Sequence, residues 1–392
     1  MKPYQTVLFL GDGMADEPLE SLGGKTPLQV AKTPYMDKIA RLGRSGTMLT
    51  LPDGFPTSSD VANMSVLGCD LATELCGRGP LEAASQGIPT GPHDLIFRMN
   101  LVTVDGQGIL RDFSGGHIAQ ADAVESIRLL NDELGSEAVR FYPGVSYRNL
   151  LVLSGEAFSP DIAYDKPDDN HGNPVAEHLP RAKSPAGERT AETLRQLTAQ
   201  AAEILKGRPA NGIWLWSGGR VGAIHSLARR YGVRGAVISA VDVINGLGKC
   251  LELDILRVPG ATGYIDTNYE GKADAALRAL KEGYDFVYVH LEATDEVSHA
   301  QDLALKTEVI EAFDRRLIGR VMEQAGDRVA YCVLPDHPVP LAIGKHTRTP
   351  VPVSVYQPGN RPDAVITFDE AAALRGDLGF LKGSDLMDLL LN

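Results

Sequence analysis

Three aspartates and three histidines are the side chains of this sequence whose types and spacing best suit chemistry. They are Asp12, Asp295, His299, Asp336, His337 and His346. Asp295 and His299 stand four residues apart in DEVSH, which places both on one face of a helix. Each group lies next to an apolar segment that is typical of a buried strand. Carboxylates and imidazoles together suit divalent transition metals. The pattern therefore predicts a site for two divalent cations.

Two adjacent serines occur in PTSSDVAN, residues 56–63, just before an apolar helical run. One of them could simply cap the helix, or one could be a nucleophile. The GxSxG motif of serine hydrolases is missing around Ser59, so a serine–histidine–aspartate triad is not indicated. A serine hydroxyl is a poor nucleophile at neutral pH, but coordination to a divalent cation favours its alkoxide. A metal-activated serine is therefore the alternative to a simple cap.

The segments that carry these residues alternate between strand and helix patterns. Strand candidates are TVLFL (6–10), GIWLW (212–216), GAVISA (235–240), FVYVHL (286–291), VAYCVL (329–334) and VPVSVY (351–356). Helical patterns lie between several of them, such as GKADAALRALKEG and LALKTEVIEAFDRRLIGRVMEQAG. This alternation predicts an α/β domain with a mainly parallel sheet flanked by helices. The site is expected at the carboxyl ends of the strands.

The middle of the chain has a different pattern. Strand candidates FRMNLVTV, VRFYPGV and NLLVL occur with one helix, QADAVESIRLLNDEL, and a loop rich in Pro and Asp leads to another helix. This predicts a smaller α+β domain, residues 93–204, that includes the connecting loop and second helix. The smaller domain would be inserted into a catalytic domain formed by residues 1–92 and 205–392.

The composition is that of an ordinary globular protein. The 392 residues are 43% hydrophobic and carry a formal net charge of −13. Such an acidic chain is not expected to bind nucleic acid, whose phosphates attract basic surfaces. No segment reaches the roughly 18 apolar residues of a membrane span, and the N-terminus lacks a secretory signal pattern. The four cysteines show no CxxC spacing, so a reducing cytoplasm is the expected location.

Seven segments of the chain match one family at the level of motifs. They are GDGMAD, SDVANMSVLG, GRGPLEAA, PGATGYIDTNYEGKAD, HLEATDEVSH, LPDH and KHTRTPVPV. Together they resemble the cofactor-independent phosphoglycerate mutases of the archaeal type, a branch of the alkaline phosphatase superfamily. The resemblance covers nearly the whole chain. It implies an alkaline phosphatase-like fold and the interconversion of 3-phosphoglycerate and 2-phosphoglycerate, in glycolysis and gluconeogenesis, through a phosphoserine and without 2,3-bisphosphoglycerate.

The resemblance also implies roles for individual residues. Ser59, rather than Ser58, is expected to accept the phosphoryl group. The implied ligands of one cation are Asp295, His299 and His346, and those of the other are Asp12, Ser59, Asp336 and His337. Manganese, zinc or magnesium is implied, and histidine ligands make a purely magnesium site less suitable.

A small phosphorylated hydroxy acid, the implied substrate, needs cationic contacts besides the metals. Arginine forks suit bidentate contact with carboxylate and phosphate. The candidates in the smaller domain are Arg98, Arg111 and Arg148. SGGHI resembles the family's turn whose histidine acts on the transferring phosphoryl group, so His117 is a catalytic candidate. Asn63 and Lys272 are further substrate-binding candidates, whereas His290, inside a strand, is expected to support the site rather than bind metal.

Some positions depart from the family pattern, among them Ser58, Thr294 and Ser298, which flank predicted site residues without replacing them. Three alternatives therefore stay open. They are a homoserine kinase-like phosphotransferase, a metal-dependent phosphomonoesterase, and an interaction module that has lost catalysis. The sequence makes no prediction of the oligomeric state.

Overall fold

The computed structural model describes residues 4–220 and 224–392. The chain divides into two compact units. The larger is formed by Met1–Leu75 and Ile224–Asn392, and the smaller by Cys76–Ala223. Within the described residues, no helix combines the length and the apolar character that crossing a bilayer requires.

The strands and helices follow one another along both units. The strands are β1 (Thr6–Gly11), β2 (Arg44–Leu49), β3 (Leu95–Val104), β4 (Leu110–Asp112), β5 (Val139–Val145), β6 (Arg148–Leu153), β7 (Ile162–Ala163), β8 (Arg181–Ala182), β9 (Gly212–Gly219), β10 (Gly235–Ile238), β11 (Asp254–Ile255), β12 (Phe286–Leu291), β13 (Ala330–Pro335), β14 (Val351–Tyr356) and β15 (Gly379–Lys382). The α-helices are α1 (Pro27–Val30), α2 (Pro34–Leu42), α3 (Ser59–Val66), α4 (Leu71–Glu74), α5 (Arg78–Gln86), α6 (Gln120–Leu134), α7 (Glu188–Ile204), α8 (Leu227–Tyr231), α9 (Asp242–Cys250), α10 (Tyr269–Lys281), α11 (Ala293–His299), α12 (Leu303–Ala312), α13 (Arg320–Ala325), α14 (Glu370–Ala373) and α15 (Asp385–Leu391). A π-helical stretch, Phe313–Gly319, joins α12 to α13.

The larger unit is built on an eight-stranded sheet with the order β11-β10-β12-β1-β13-β14-β2-β15. The strands from β11 to β13 run parallel to one another, and β14 runs antiparallel to both of its neighbours. β1 is buried along its whole length, as expected for a central strand covered on both faces. Its alternate residues Val7 and Phe9 join an apolar cluster with residues of α2, α10 and the π-helical stretch. The prediction of a mainly parallel sheet flanked by helices is confirmed.

The smaller unit contains a five-stranded antiparallel sheet formed by β3, β4, β5, β6 and β9. Helices α6 and α7 cover it, because their apolar faces pack on the buried side chains of β3, β6 and β9. Residues that bury one face at helical spacing, such as Ala123, Ile127 and Leu130 on α6, explain why this sequence forms an amphipathic helix here.

The sequence pattern placed the strand GIWLW in the large parallel sheet, but that prediction is wrong. GIWLW forms β9, which pairs antiparallel with β3 in the smaller unit, with Trp216 opposite Arg98. Helix α5 also packs within this unit, where Ala83 contacts the apolar cluster of Ile96 and Leu150. The boundaries of the units therefore lie at residues 75/76 and 223/224, not at 92/93 and 204/205. An apolar run predicts a strand, but not the sheet that the strand joins.

Candidate metal centre

The register of the three central strands brings the acidic residues of the larger unit together. Gly11, the last residue of β1, lies opposite Leu291 of β12 and Pro335 of β13. The next residue in each chain segment is acidic: Asp12, Glu292 and Asp336. Because parallel strands end at the same edge of a sheet, these three carboxylates meet at one level. The predicted location of the site follows from this register.

One cluster of ligand atoms is formed by Asp295, His299 and His346, which lie close enough together to hold one metal ion. Asp295 and His299 share a face of α11. The Nε2 atom of His299 lies 3.3 Å from Asp295 Oδ2 and 2.9 Å from Nε2 of His346. Nε2 of His346 lies 3.4 Å from Asp295 Oδ1. The structure thus brings together the three residues that the resemblance assigned to one cation.

A second cluster lies beside it and contains the predicted nucleophile. Nε2 of His337 lies 3.3 Å from Asp12 Oδ1, 3.4 Å from Asp336 Oδ2 and 3.2 Å from Ser59 Oγ. The rings of His337 and His346 stack with their centres 3.8 Å apart, so the two clusters are adjacent. We call the seven residues of both clusters the ligand cluster: Asp12, Ser59, Asp295, His299, Asp336, His337 and His346.

Ser59 is the first residue of α3, and Ser58 precedes the helix. The N–H groups of a first helical turn have no partner within the helix, so they favour a bound anion. Ser58 has an extended backbone with φ of −151° and makes no side-chain cap bond. The backbone there does not require glycine. The geometry supports Ser59 as the residue nearest the ligand atoms.

Backbone contacts orient the ligand side chains. Nδ1 of His299 lies 2.9 Å from the carbonyl oxygen of Gly344, so Nδ1–H donates there and Nε2 is the ring atom that faces the other ligand atoms. Two backbone N–H groups, of Gly13 and His337, donate to Asp336 Oδ1 at 3.0 and 2.8 Å. One carboxylate oxygen of Asp336 is thus used for orientation, and the other faces His337.

Thr294 and Ser298, two departures from the family pattern, lie on α11 against the loop that carries Asp12. The hydroxyl of Thr294 donates to the carbonyl oxygen of Asp12. The hydroxyl of Ser298 donates to the carbonyl oxygen of Thr294 in its own helix at 2.5 Å and lies 3.4 Å from the carbonyl oxygen of Gly13. These side chains were seen in the sequence only as flanking substitutions. Their structural role depends on a loop nearly three hundred residues earlier in the chain, which no local pattern reveals.

His290 supports Asp12 from the interior of the sheet. Its Nε2 lies 3.0 Å from Asp12 Oδ2, and its Nδ1 lies 3.2 Å from the hydroxyl of Ser239. Burial lowers the pKa of His290 to about 3, and the nearby Lys272 ammonium contributes, so the ring is neutral. A neutral ring protonated at Nε2 can donate to Asp12 and accept from Ser239. This arrangement fits the supporting role predicted for His290.

The electrostatics of the ligand cluster favour bound cations. Burial raises the pKa of Asp12 and of Asp336 well above the ordinary value, and neighbouring carboxylates add to the shift of both. Burial also acts on Asp295, but the neighbouring imidazoles of His299 and His346 hold its pKa below the ordinary value. Among the described residues, buried Asp12 Oδ1 and Asp295 Oδ1 have no hydrogen-bond partner. Each faces a histidine Nε2, so both clusters offer the donor atoms that a divalent cation needs.

Two predicted substrate contacts of the larger unit are in fact buried. Asn63 is fully buried; its amide nitrogen donates to Ser59 O and Asp336 Oδ2, and its oxygen accepts from the hydroxyl of Tyr288. No amide hydrogen is left for a phosphoryl group, so we replace the predicted substrate contact by a structural one. Lys272 is also fully buried and donates to the carbonyl oxygen of His290 at 2.9 Å. Burial lowers its pKa to about 8.

Within the smaller unit, the antiparallel register places Arg98 and Arg148 on one face of the five-stranded sheet, since Arg98 pairs with Leu150 and Asn100 with Arg148. Arg98 is buried; its guanidinium lies 4.7 Å from the ring centre of Trp216 and 3.3 Å from Glu82 Oε1. Burial lowers the pKa of Arg98, and the charge of Arg148 contributes. Exposed Arg148 donates to the hydroxyl of Tyr147 at 3.2 Å. We call Arg98, Arg148, Tyr147 and Trp216 the basic cluster.

His117 and Arg111 have different surroundings. His117 is exposed, has a left-handed backbone with φ of +52°, and contacts the ring of Tyr147 edge-on, with 6.3 Å between ring centres. It therefore lies beside the basic cluster. Arg111 is held on a turn by Asp105, with Nε 2.7 Å from Oδ2. The structure gives Arg111 a carboxylate partner of its own and does not associate it with the basic cluster by any described contact.

The remaining histidines have partners outside the ligand cluster. Their contacts are His93 with Glu156, His171 with the carbonyl oxygen of Arg111, His178 with Asp165, and His225 with Glu74. Glu292 and Tyr288 were not singled out in the sequence, although Glu292 lies within reach of the ligand atoms of Asp12 and His290. Its place directly after β12, in HLEA, was the available signal.

Comparison with known proteins agrees with this geometry. The Metalloenzyme superfamily matches residues 4–392. The 2,3-bisphosphoglycerate-independent phosphoglycerate mutase of Methanosarcina acetivorans is 43% identical over 394 residues, which cover 98% of each chain. The chain belongs to the cofactor-independent phosphoglycerate mutase family. The resemblance inferred from the motifs is confirmed, and metal dependence is the property that the superfamily implies.

Solved structures of similar proteins support the fold assignment. A protein of Pyrococcus horikoshii superposes with a TM-score of 0.83 at 27% identity, covering 100% of this chain and 97% of that one. The cofactor-independent phosphoglycerate mutase of Thermoplasma acidophilum superposes with a TM-score of 0.69 at 29% identity, covering 99% and 98%. The phosphoglycerate mutase family and the present chain therefore share the fold over their full length.

Proposed function

We propose that this protein is an isomerase that interconverts 3-phosphoglycerate and 2-phosphoglycerate through a phosphoserine at Ser59, independently of 2,3-bisphosphoglycerate. The observation that carries the proposal is the place of Ser59 Oγ, which lies 3.2 Å from His337 Nε2 at the start of α3, within a set of unpaired carboxylate oxygens. Membership of the mutase family supports a small phosphorylated hydroxy acid as the substrate. The reaction belongs to glycolysis and gluconeogenesis, and four free cysteines fit a cytoplasmic location.

The ligand cluster suits two divalent cations. Asp295, His299 and His346 would hold one, and Asp12, Ser59, Asp336 and His337 the other. Bound there, the cations would favour the alkoxide of Ser59 and neutralise charge on the phosphoryl oxygens. The imidazole ligands favour manganese or zinc over a purely magnesium site.

The protein's own groups have separate tasks in this reaction. Ser59 Oγ forms a bond to phosphorus while the bond from phosphorus to the glycerate oxygen breaks, and the neighbouring hydroxyl of the same glycerate later takes the phosphoryl group back. The N–H groups at the start of α3 orient the phosphoryl oxygens. We assign the holding of the glycerate carboxylate and phosphate to Arg98 and Arg148, with His117 as the group that acts on the transferring phosphoryl. Exclusion of water protects the phosphoserine from hydrolysis.

One assay tests the proposal against its alternatives. Purified protein with Mn²⁺ is given 3-phosphoglycerate, and 2-phosphoglycerate and free phosphate are both followed. A parallel reaction contains homoserine and a nucleoside triphosphate. We expect 2-phosphoglycerate to form with little phosphate release. Phosphate without the isomer would indicate a phosphomonoesterase, and phosphorylated homoserine would indicate the kinase-like phosphotransferase.

A further inference from the structure

A hydrogen-bonded chain in the interior of the larger unit leads from Tyr288 to the ligand cluster. Tyr288 lies on β12, Asn63 on α3 and Asp336 just after β13, and all three side chains are fully buried. The hydroxyl of Tyr288 contacts Asn63 Oδ1. Nδ2 of Asn63 lies 2.9 Å from Asp336 Oδ2 and 2.8 Å from the carbonyl oxygen of Ser59. One amide thus touches both a predicted ligand and the turn that carries the predicted nucleophile.

The direction of each bond follows from the chemistry of its partners. A backbone carbonyl can only accept, so the atom of Asn63 that faces Ser59 O must be the NH₂ group, and the same group lies against Asp336 Oδ2. The amide oxygen must then face Tyr288, whose hydroxyl must donate to it. Without that hydroxyl, the amide oxygen of Asn63 loses its donor, and only the two acceptors on the NH₂ side hold the amide in place. The flipped orientation would place an oxygen against the carboxylate of Asp336.

Asp336 depends on this amide because its other contacts fix only one of its oxygens. Oδ1 accepts from the N–H groups of Gly13 and His337. Oδ2 accepts from Asn63 and lies 3.4 Å from Nε2 of His337. A carboxylate has about four lone-pair positions, so Oδ2 keeps one that points toward the ligand atoms. The Asn63 bond sets the rotation of the carboxylate that aims this lone pair.

We propose that Tyr288 is a positioning residue that fixes Asp336, through Asn63, for binding of the cation assigned to the Ser59 side of the ligand cluster. The inference rests on the proposed metal-binding role of Asp336, but it requires no particular phosphorylated substrate. Contacts that orient metal ligands typically affect metal affinity or activity by about 10- to 100-fold when they are removed. Tyr288 lies one residue layer away from the metal ligands and would act only through them.

The test is Mn²⁺ binding by Tyr288→Phe, measured by calorimetric titration and by electron paramagnetic resonance of free Mn²⁺. We expect one of two binding events to weaken by about 10- to 100-fold while the other changes little. Tyr331→Phe is the matched control, because Tyr331 is equally buried in the same sheet and its hydroxyl donates to Gly326 O at 2.6 Å. This control should lower the Tm by a similar amount and leave both Mn²⁺ affinities unchanged.

A second variant keeps the proposal testable if Tyr288→Phe folds poorly. Asn63→Leu removes the amide, and we expect it to weaken the same binding event at least as much. Adding Tyr288→Phe to Asn63→Leu should cause no further loss of Mn²⁺ affinity, since the hydroxyl acts only through the amide. Additive losses, unchanged affinity in Tyr288→Phe, or an equal loss in Tyr331→Phe would overturn the positioning role. The mutase assay on the wild type separates this result from a failure of the proposed function, because the titration needs no substrate.

Discussion

The ligand cluster of the larger unit and the basic cluster of the smaller unit hold their functional side chains in different ways. In the ligand cluster, Asp12 and Asp336 are fully buried, and each is oriented by donors from other elements. In the basic cluster, Arg98 is buried against Trp216 and Glu82, but Arg148 is exposed and contacts its neighbour Tyr147. The side chains of the ligand cluster are therefore held in position before a metal binds. The basic cluster instead has one arginine that is fixed, Arg98, and one that is exposed, Arg148.

The difference follows from what each cluster is proposed to bind. Several buried carboxylates repel one another, so their geometry must be imposed by the surrounding bonds before a cation can compensate the charge. An exposed arginine remains hydrated without its anion and can adopt the bound geometry when the anion arrives. Substitutions in the two clusters should therefore change different quantities: metal affinity and turnover in the first, and KM in the second.

Ser59→Ala should produce the largest effect. Loss of the hydroxyl removes the atom that would carry the phosphoryl group, so we expect turnover to fall by at least about a thousandfold, while the fold and one Mn²⁺ site persist. The measurement is the mutase assay, together with trapping of labelled phosphoserine. Ser58→Ala is the control and should change the rate by only a few-fold. Equal losses in both variants, or a loss in Ser58→Ala alone, would contradict the assignment of the nucleophile.

Gly13→Ala should be the next most damaging change. It tests whether the side chains of the ligand cluster must be held in position before a metal binds. Gly13 has a φ of +63°, and an added Cβ would lie 2.6 Å from Asp295 Oδ1 and 2.8 Å from Asp295 Cα. We expect about a hundredfold loss of activity, as for other small displacements of reacting groups, and weaker Mn²⁺ binding by calorimetric titration.

Gly23→Ala separates the effect of the left-handed backbone from the effect of the contact with Asp295. Gly23 has nearly the same φ, +66°, but an added Cβ there would meet nothing within 4 Å. Gly23→Ala should lower the free energy of unfolding by only about 1 kcal/mol, because a residue other than glycine is strained in the left-handed backbone. It should keep wild-type Mn²⁺ affinity. If Gly13→Ala behaves like Gly23→Ala, the close approach to Asp295 has no functional role.

The two clusters also differ in how far the sequence could predict them. The aspartates and histidines of the ligand cluster were found because each stands beside an apolar strand pattern, whereas the role of Ser59 was implied only by the family resemblance. The contact of Asn63 with Tyr288 joins residues 225 positions apart and has no local pattern. Likewise, GIWLW reads as a strand, but its pairing with β3 depends on a partner more than a hundred residues away. Spacing predicts residues at strand ends; it does not predict which side chains pack behind them.

Arg148→Gln tests the basic cluster. A charged hydrogen bond to an exposed anion is lost, and we expect KM for 3-phosphoglycerate to rise by about tenfold, with kcat and Mn²⁺ affinity changed much less. Arg128→Gln is the matched control in the same unit, because Arg128 is an exposed arginine whose partners, Glu125 and Asp132, lie on its own helix. A change in Mn²⁺ affinity with unchanged KM would reverse the division of roles between the clusters.

Asp314→Asn should have the smallest effect, and it compares the ligand carboxylates with a buried carboxylate that has no proposed cation. Asp314 accepts from the N–H groups of Tyr35 and Met36, at 3.1 and 2.7 Å, and so caps α2, where Thr33 makes no side-chain cap bond. Burial raises its pKa to about 7 despite these two donors. Asn retains an acceptor for the same N–H groups but cannot ionise.

The sign of the pH dependence follows from this raised pKa. In the unfolded chain Asp314 ionises near pH 4, whereas in the folded protein it stays protonated until about pH 7. Protonation of Asp314 therefore favours folding at low pH. This contribution to the free energy of unfolding is lost as the pH rises through 7. We therefore expect the wild type to lose more free energy of unfolding between pH 5 and pH 8 than Asp314→Asn, by about 1 kcal/mol or more. Urea unfolding of both proteins at these pH values, with mutase activity as the control, measures the difference. Parallel pH profiles would show that the two donated bonds offset the burial of Asp314.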